Sequence, residues 1–149
     1  MYKHILVPTD GSKLSLKAVK QAAGLARTCK AKITALFVIE PYMPRMADES
    51  LIPTSLVRDR DTYRKLSEKV ASDALRKVEK GFALAKLACK TEFITDPMPW
   101  HGILEAAKKG KCDLIVMASH GRGGLAGVLL GSETHKVLAH SKTPVLVCR

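Results

Sequence analysis

A glycine-rich segment in the last third of the chain carries residues suited to holding an anion. It reads Ser119-His120-Gly121-Arg122-Gly123-Gly124, and Gly131 follows where the next helix is predicted to begin. Glycines let the backbone approach a ligand and direct successive N–H groups at it, and a helix N-terminus adds the positive end of its dipole. Ser132 and Thr134 could donate hydroxyl hydrogens, and Arg122 could supply charge. The segment predicts a phosphate-binding loop.

A second polar turn, Pro8-Thr9-Asp10-Gly11-Ser12, follows the first apolar run of the chain. Asp10 could accept hydrogen bonds from a ribose or an adenine amino group. The same residues also have an architectural interpretation, in which the glycines serve turn geometry and Asp10 and Ser12 cap the first helix. The combination of both turns with a helix N-terminus favours a ligand site, because open α/β sheets bind ligands beyond the carboxyl ends of their strands.

Residue spacing disfavours two more specific nucleotide-binding motifs, the dinucleotide-binding fingerprint and the P-loop. The stretch from Gly121 to Ala126 can be forced into G-x-G-x-x-A, but it follows the fourth predicted strand and leaves no room for a further strand with a ribose-binding acid. The G-K-[ST] of a P-loop is missing from the sequence. His120 has no neighbouring His, Cys or Glu that would complete a metal set, so a loop-positioning role is favoured over a general base or metal ligand.

The elements that must position these turns are visible as apolar runs and helical periodicities. Their alternation predicts an α/β fold: a single domain over residues 1–149, with a five-stranded open parallel sheet, helices on both faces and a Rossmann-like arrangement. Residues 41–61 contain three prolines without periodicity and are predicted to be a long loop. The predicted strands are His4–Val7, Ile33–Ile39, Lys90–Thr95, Asp113–Ala118 and Val145–Cys148, and the predicted helices are Leu14–Ala26, Tyr63–Phe82, a segment from Asp96 to Gly110, and Ser132–His140.

The amino-acid composition indicates the cellular compartment and the kind of partner of the protein. The four cysteines, Cys29, Cys89, Cys112 and Cys148, are too widely spaced for a redox pair or zinc knuckle, which indicates free thiols in a reducing compartment. No signal peptide or membrane span is indicated, so a cytoplasmic location is expected. The net charge of +11 suggests an anionic partner, either a nucleic acid or a small phosphorylated ligand. Because the excess is spread over predicted helix faces and nucleic-acid motifs are missing, nucleic acid is disfavoured.

The glycine-rich segment resembles a known signature. Met117-Ala118-Ser119-His120-Gly121, nine residues and then Gly131-Ser132 resemble the G-x-x-G-x9-G-[ST] pattern of ATP-binding universal stress proteins. The segments Ile5–Ser12, Val38–Glu40 and Pro144–Val147 are also similar to that family. Ala118 stands where the signature begins with glycine, which weakens binding only if that position needs a positive φ. We expect a negative φ there.

The resemblance implies the adenine nucleotide alpha hydrolase-like fold, ATP with Mg²⁺ as ligand, and a homodimer formed through the last strand at Val145, Leu146 and Val147. It places the adenine near Asp10 and Val38, with His120 inside the signature. The ribose would lie near Pro8, Thr9, Met117 and Ala118, and the phosphates along Gly121, Arg122, Gly131, Ser132, Glu133 and Thr134.

These observations predict a stress-response protein that acts as a nucleotide-dependent switch or sensor, with at most slow ATP hydrolysis. Asp10 and Glu133 are the acidic candidates for activating water. The alternatives are a nucleotide-free dimeric module that binds a partner, a binder of AMP or cyclic AMP, and a genuine ATPase or nucleotidyl-transfer enzyme.

Overall fold

The computed structural model describes residues 1–43, 52, 56–121 and 130–149. Strands and helices alternate along the chain, and within the described residues none of the helices is both long and apolar enough to cross a bilayer. The elements are β1 (His4–Pro8), α1 (Lys13–Cys29), β2 (Lys32–Ile39), α2 (Arg60–Leu84), β3 (Lys90–Thr95), α3 (Pro99–Lys109), β4 (Leu114–Ala118), α4 (Ser132–His140) and β5 (Val145–Cys148).

The five strands form one parallel sheet in the order β3-β2-β1-β4-β5. Ile5 of β1 pairs with Ile33 of β2 on one side and with Leu114 of β4 on the other. The chain therefore builds outward from β1 to β3 and then returns to the opposite side of β1. This reversal puts the topological switch point between β1 and β4, where open α/β sheets bind their ligands.

Helices cover both faces of the sheet, which confirms the predicted fold class. Strand residues alternate between two cores because successive side chains point to opposite faces. One core packs α1 and α2 against β1, β2 and β4 through residues such as Val19, Val78, Phe82, Ile5 and Val116. The other packs α3 and α4 against the opposite face through Ile103, Val137, Leu6, Leu36 and Ile115.

Outside β3, α4 and β5, predicted boundaries differ from the structure by up to three residues, and two helix starts have a clear physical cause. The helix α2 begins at Arg60, inside the range predicted as a loop, because Asp59 acts as its N-cap and accepts the Thr62 N–H at 2.7 Å. The helix α3 begins at Pro99 rather than at Asp96, whose carboxylate accepts the Met98 N–H at 2.8 Å in the turn before the helix. Most of the remaining predicted loop lies outside the described residues.

The first three helices end in one common motif that contains a lysine in the left-handed region. These lysines are Lys30 (φ 54°), Lys86 (φ 57°) and Lys111 (φ 52°). A side chain in this conformation costs about 1 kcal/mol, which is why glycine is usual there. After each lysine, the next amide donates to a carbonyl five residues back, in the pairs Ala31–Ala26, Leu87–Phe82 and Cys112–Ala107.

Candidate functional site

The carboxyl ends of β1 and β4 bring the two polar turns of the sequence into contact. A Cβ atom added at Gly121, just after β4, would lie 2.6 Å from Oδ2 of Asp10, just after β1. A distance this short leaves room only for glycine at position 121 unless the carboxylate moves. The two turns that the sequence singled out therefore face each other across the switch point.

The turn after β1 is held by its own side chains. Asp10 Oδ1 accepts the Ser12 N–H at 2.9 Å, and Gly11 adopts a φ of 78°, which favours glycine. The buried Thr9 hydroxyl donates to Ser15 Oγ at 2.9 Å and accepts the Gly11 N–H at 3.1 Å. These bonds fix the Asp10 carboxylate at the mouth of the crevice.

The first helix begins at this turn in the way the sequence predicted. Ser12 is the N-cap of α1, and its hydroxyl accepts the Ser15 N–H at 3.1 Å. Asp10 bonds the amide of the cap residue itself, so the capping interpretation of these residues holds at the same time as the ligand interpretation. Sequence reasoning missed Ser15, whose apolar helical neighbours gave no signal for a hydroxyl inside the turn.

The end of β4 is tied to the start of α4 by backbone bonds. The Gly131 N–H donates to the Ser119 carbonyl at 2.7 Å, and the Ser119 N–H donates to the Cys148 carbonyl at 2.7 Å. A Cβ atom at Gly131 would approach Cα and Cβ of His120 to 3.0 Å, so the two backbones are nearly in contact. The end of β4 and the start of α4 therefore meet.

The start of α4 has no hydrogen bond from its N-cap side chain. Gly131 is the N-cap, and Ser132 is the exposed first residue of the helix. Glycine has no side chain to accept the amides of the first turn, which need an acceptor. Thr134 is buried, and its hydroxyl donates to the Ala118 carbonyl at 3.0 Å, so it anchors the helix to β4.

Glu133 turns away from the crevice in this structure. Its Oε2 accepts the Trp100 N–H at 2.8 Å in the first turn of α3, and its Oε1 accepts from Lys136 Nζ at 3.0 Å. The Trp100 ring stacks on His140 with centroids 4.7 Å apart. The amino end of α4 is thus joined to the amino end of α3.

The remaining candidates lie in or beside the core. Pro8, Met117 and Ala118 are buried, so they would meet a ligand through the backbone or a small side-chain surface. Ala118 belongs to β4 and has no positive φ, as expected for an alanine that replaces glycine without strain. Val38 is half-buried, and its Cγ1 would lie 3.3 Å from a Cβ at Gly102 of α3.

Part of the phosphate-binding prediction lies outside the described residues. Arg122, Gly123, Gly124 and Gly127 fall in the range 122–129. Of the described chain, residues 1–43, 52, 56–121 and 130–149, no group of three His, Cys, Asp or Glu side chains could hold a metal ion.

The largest pKa shifts belong to two thiols at the edge of the sheet opposite the crevice. Burial raises the pKa of the Cys89 and Cys112 thiols to about 11, and all four cysteines are free thiols. The hydrogen bond from His101 and the Met98 amide lower the pKa of Asp96 at the start of α3. The raised thiol pKa values make Cys89 and Cys112 poor nucleophiles.

The sheet order and the crevice define a doubly wound α/β domain of the adenine nucleotide alpha hydrolase-like class. The family model of the universal stress proteins matches residues 1–149, and the chain belongs to that family. Universal stress protein MJ0531 of Methanocaldococcus jannaschii is 34% identical over 151 residues, covering all of this chain and 83% of that protein.

Two solved structures are similar over nearly the whole chain. The structure of MJ0577, from the same archaeon, has a TM-score of 0.81 at 27% identity and covers 99% of this chain and 96% of its own. A universal stress protein in complex with cAMP has a TM-score of 0.73 at 27% identity and covers 99% of this chain and 97% of its own. The predicted family and fold are confirmed.

Proposed function

We propose that this universal stress protein binds an adenine nucleotide in the crevice between β1 and β4, with ATP and Mg²⁺ as the preferred ligand. The observation that carries the proposal is the contact of the two turns, in which Gly121 lies against the carboxylate of Asp10. The contact sets the Asp10 carboxylate and the Gly121 backbone side by side at the switch point, where a ribose or adenine edge could bind across both turns. The relative found in complex with cAMP supports an adenine nucleotide as the ligand class.

The residues present fit the parts of a nucleotide. Asp10 accepts hydrogen bonds from the ribose or the adenine amino group, and Val38 offers an apolar wall beside α3. The amides at the start of α4, with the Ser132 hydroxyl, bind phosphate oxygens through the helix dipole. Mg²⁺ binds through phosphate oxygens, as is usual for this ion with nucleoside triphosphates, and neutralises their charge.

Hydrolysis is at most slow in this proposal. Both carboxylate oxygens of Glu133 are engaged, one by the Trp100 amide and the other by Lys136, so Glu133 is poorly placed to activate water. Asp10, whose Oδ1 accepts the Ser12 N–H, is the other acidic candidate. Bound nucleotide then serves as a signal, and the protein works as a switch or sensor in the cytoplasm.

We also propose that the protein forms a homodimer through β5, and that the dimer communicates the nucleotide-bound state to a partner. β5 pairs with β4 on one side and ends the sheet on the other, among the described strands. Leu146 at the centre of β5 is 39% exposed, and Val145 and Val147 are half-buried. An exposed apolar edge strand is a natural site for pairing with a second copy.

Calorimetric titration of the nucleotide-stripped protein with ATP, AMP and cyclic AMP, each with Mg²⁺, tests the ligand. We expect ATP to bind near micromolar, about −8 kcal/mol. Gly131→Val should abolish binding because its side chain would collide with His120 and displace the start of α4. Gly24→Val is the matched control, since a Cβ at Gly24 meets nothing within 4 Å on the exposed side of α1.

The results of the titrations distinguish the candidate functions. Tighter binding of cyclic AMP or AMP than of ATP would replace ATP as the ligand while retaining the site. Absence of heat and of thermal shift with all three nucleotides, in a protein that still dimerises, would instead support the nucleotide-free partner-binding module. Equal binding by Gly131→Val and Gly24→Val would place the nucleotide elsewhere.

A further inference from the structure

The fold places ten of the 25 Lys and Arg residues at the edge of the sheet opposite the crevice. All parallel strands begin at one edge, and a lysine lies at or just before the start of every strand: Lys3, Lys32, Lys90, Lys111 and Lys142. Helices α1, α2 and α3 end at the same edge with Arg27, Lys30, Lys86, Lys108 and Lys109. We call these ten exposed side chains the basic pole.

Hydrogen bonds join the segments that carry the basic pole. The Lys32 N–H donates to the Lys3 carbonyl at 2.9 Å, and Arg27 Nη2 donates to the Ala85 carbonyl at 3.2 Å. His4 Nδ1 bonds the Gly110 carbonyl at 3.0 Å, which places the end of α3 beside the start of β1. Neighbouring strands are about 4.8 Å apart, so the strand-start lysines span roughly 20 Å.

Acidic groups at this edge are occupied within the fold. Asp113 accepts the backbone N–H groups of Lys3 and His4 at 2.8 and 2.9 Å, and Glu92 accepts from Lys90 Nζ at 2.9 Å. Glu79 and Glu105 lie before the last turns of α2 and α3. The fold therefore concentrates these ten side chains at one edge, although they are scattered along the sequence.

The left-handed lysines show that the fold accepts a conformational cost at this end. Lys30, Lys86 and Lys111 occupy the position after a helix at which glycine is favoured. Attraction to the negative end of each helix dipole offsets part of that cost. Each of these lysines adds an exposed positive charge to the basic pole, and a glycine at the same position would lack that charge.

The edge also presents an apolar side chain. Leu84, the last residue of α2, is 88% exposed and lies two residues before Lys86. Its neighbour Ala85 accepts the hydrogen bond from Arg27, so Leu84 flanks the basic pole. At the surface of a lipid bilayer, a large apolar side chain can insert at the boundary between headgroups and acyl chains while neighbouring lysines contact the headgroups.

We propose that the basic pole docks on an anionic lipid bilayer, with Leu84 inserted between the headgroups. A bilayer is favoured over nucleic acid by three observations. The pole cations are lysines except for Arg27, whose guanidinium donates to a backbone carbonyl, so bidentate phosphate recognition is not provided. The described helices at this edge present their C-termini rather than phosphate-binding N-termini. Exposed leucine adds nothing to phosphate-backbone binding.

Sedimentation of the full chain with vesicles tests the proposal. Vesicles of phosphatidylcholine with about 30% phosphatidylserine should retain the protein at about 0.05 M salt, and pure phosphatidylcholine vesicles should not. The triple variant Lys30→Asn, Lys86→Asn, Lys111→Asn removes charge at positions where asparagine readily adopts the left-handed conformation, so the fold is retained. Each basic residue near an anionic surface contributes roughly fivefold, so the loss of three should lower partitioning by about 100-fold.

The matched control removes the same charge elsewhere. Lys17→Gln, Lys20→Gln, Lys69→Gln also lowers the net charge from +11 to +8 (11 − 3) on exposed faces in the first halves of α1 and α2. It should change partitioning by less than about threefold, and Leu84→Gln should weaken partitioning with an unchanged melting temperature.

Three results would overturn the docking surface. The first is failure of the wild-type protein to sediment with anionic vesicles, and the second is an equal loss of vesicle binding in the two triple variants. The third is tighter binding to a DNA duplex of about 30 base pairs at the same salt concentration, with an affinity that Leu84→Gln does not change. The last result would assign the basic pole to nucleic acid. Melting temperatures confirm that each variant is folded.

Discussion

The contact between Gly121 and Asp10 makes a quantitative prediction about the two turns. In the Gly121→Ala variant the new Cβ starts 2.6 Å from Asp10 Oδ2, whereas ordinary contacts begin near 3.4 Å and almost none are below 3.0 Å. The carboxylate must therefore move by roughly 0.4 to 0.8 Å. That shift strains the 2.9 Å hydrogen bond that Asp10 Oδ1 accepts from the Ser12 N–H.

A hydrogen bond of this kind contributes about 1 kcal/mol net, so Gly121→Ala should lower the free energy of unfolding by about that amount in urea. In the Asp10→Ala background the collision is absent, and the same substitution should cost close to nothing. The double-mutant cycle should thus give a coupling of about 1 kcal/mol. The cycle also cancels the effect that replacing glycine has on the unfolded chain.

Gly24→Ala controls for glycine replacement in open space, and it should stabilise the protein by about 1 kcal/mol because helix interiors favour alanine. If Gly121→Ala has the same effect with and without Asp10, the two turns do not meet as described. The argument for the crevice would then lose its central observation.

Three further substitutions or reactions test other parts of the structure. Lys86→Gly should raise the free energy of unfolding by about 1 kcal/mol in urea, because it relieves the positive φ, and a decrease would contradict the left-handed assignment. Glu133→Ala should lower it by about 1 kcal/mol and shift the emission of the single tryptophan, Trp100, whereas Glu133→Gln should retain the bond to that amide. Alkylation of Cys89 and Cys112 at pH 8 should be at least about 100-fold slower than that of an unperturbed thiol, because a pKa of about 11 leaves about 0.1% thiolate, and fast labelling of both in folded protein would refute it.

The sequence predicts most of the fold because strands and helices alternate with clear apolar periodicities. Strand β3, helix α4 and strand β5 have the predicted bounds. The start of α2 was missed because its first turn, Arg60-Asp61-Thr62, contains no apolar residue and is set by the cap at Asp59. Asp96 was assigned to α3 because an acid before proline resembles a helix start.

The sequence predicts those features of the candidate site that follow from the order of the strands in the sheet. Two polar turns at the carboxyl ends of strands beside the switch point must meet, and Asp10 and Gly121 do. The partner of Glu133 was not predictable, because Trp100 lies 33 residues earlier on a different helix. The basic pole was hidden for a related reason: its lysines are scattered along the chain and become neighbours only through the common direction of the strands.

The central position of β1 also has a consequence for folding kinetics. β1 pairs with β2 after one short helical crossover, but Ile5 pairs with Leu114 of β4 only when a loop of more than 100 residues closes. Contacts so distant in sequence form late, so the unit from β1 to β3 is expected to assemble before β4 docks. A ligand that spans β1 and β4 binds only the completed sheet, and it therefore slows unfolding without accelerating the early steps.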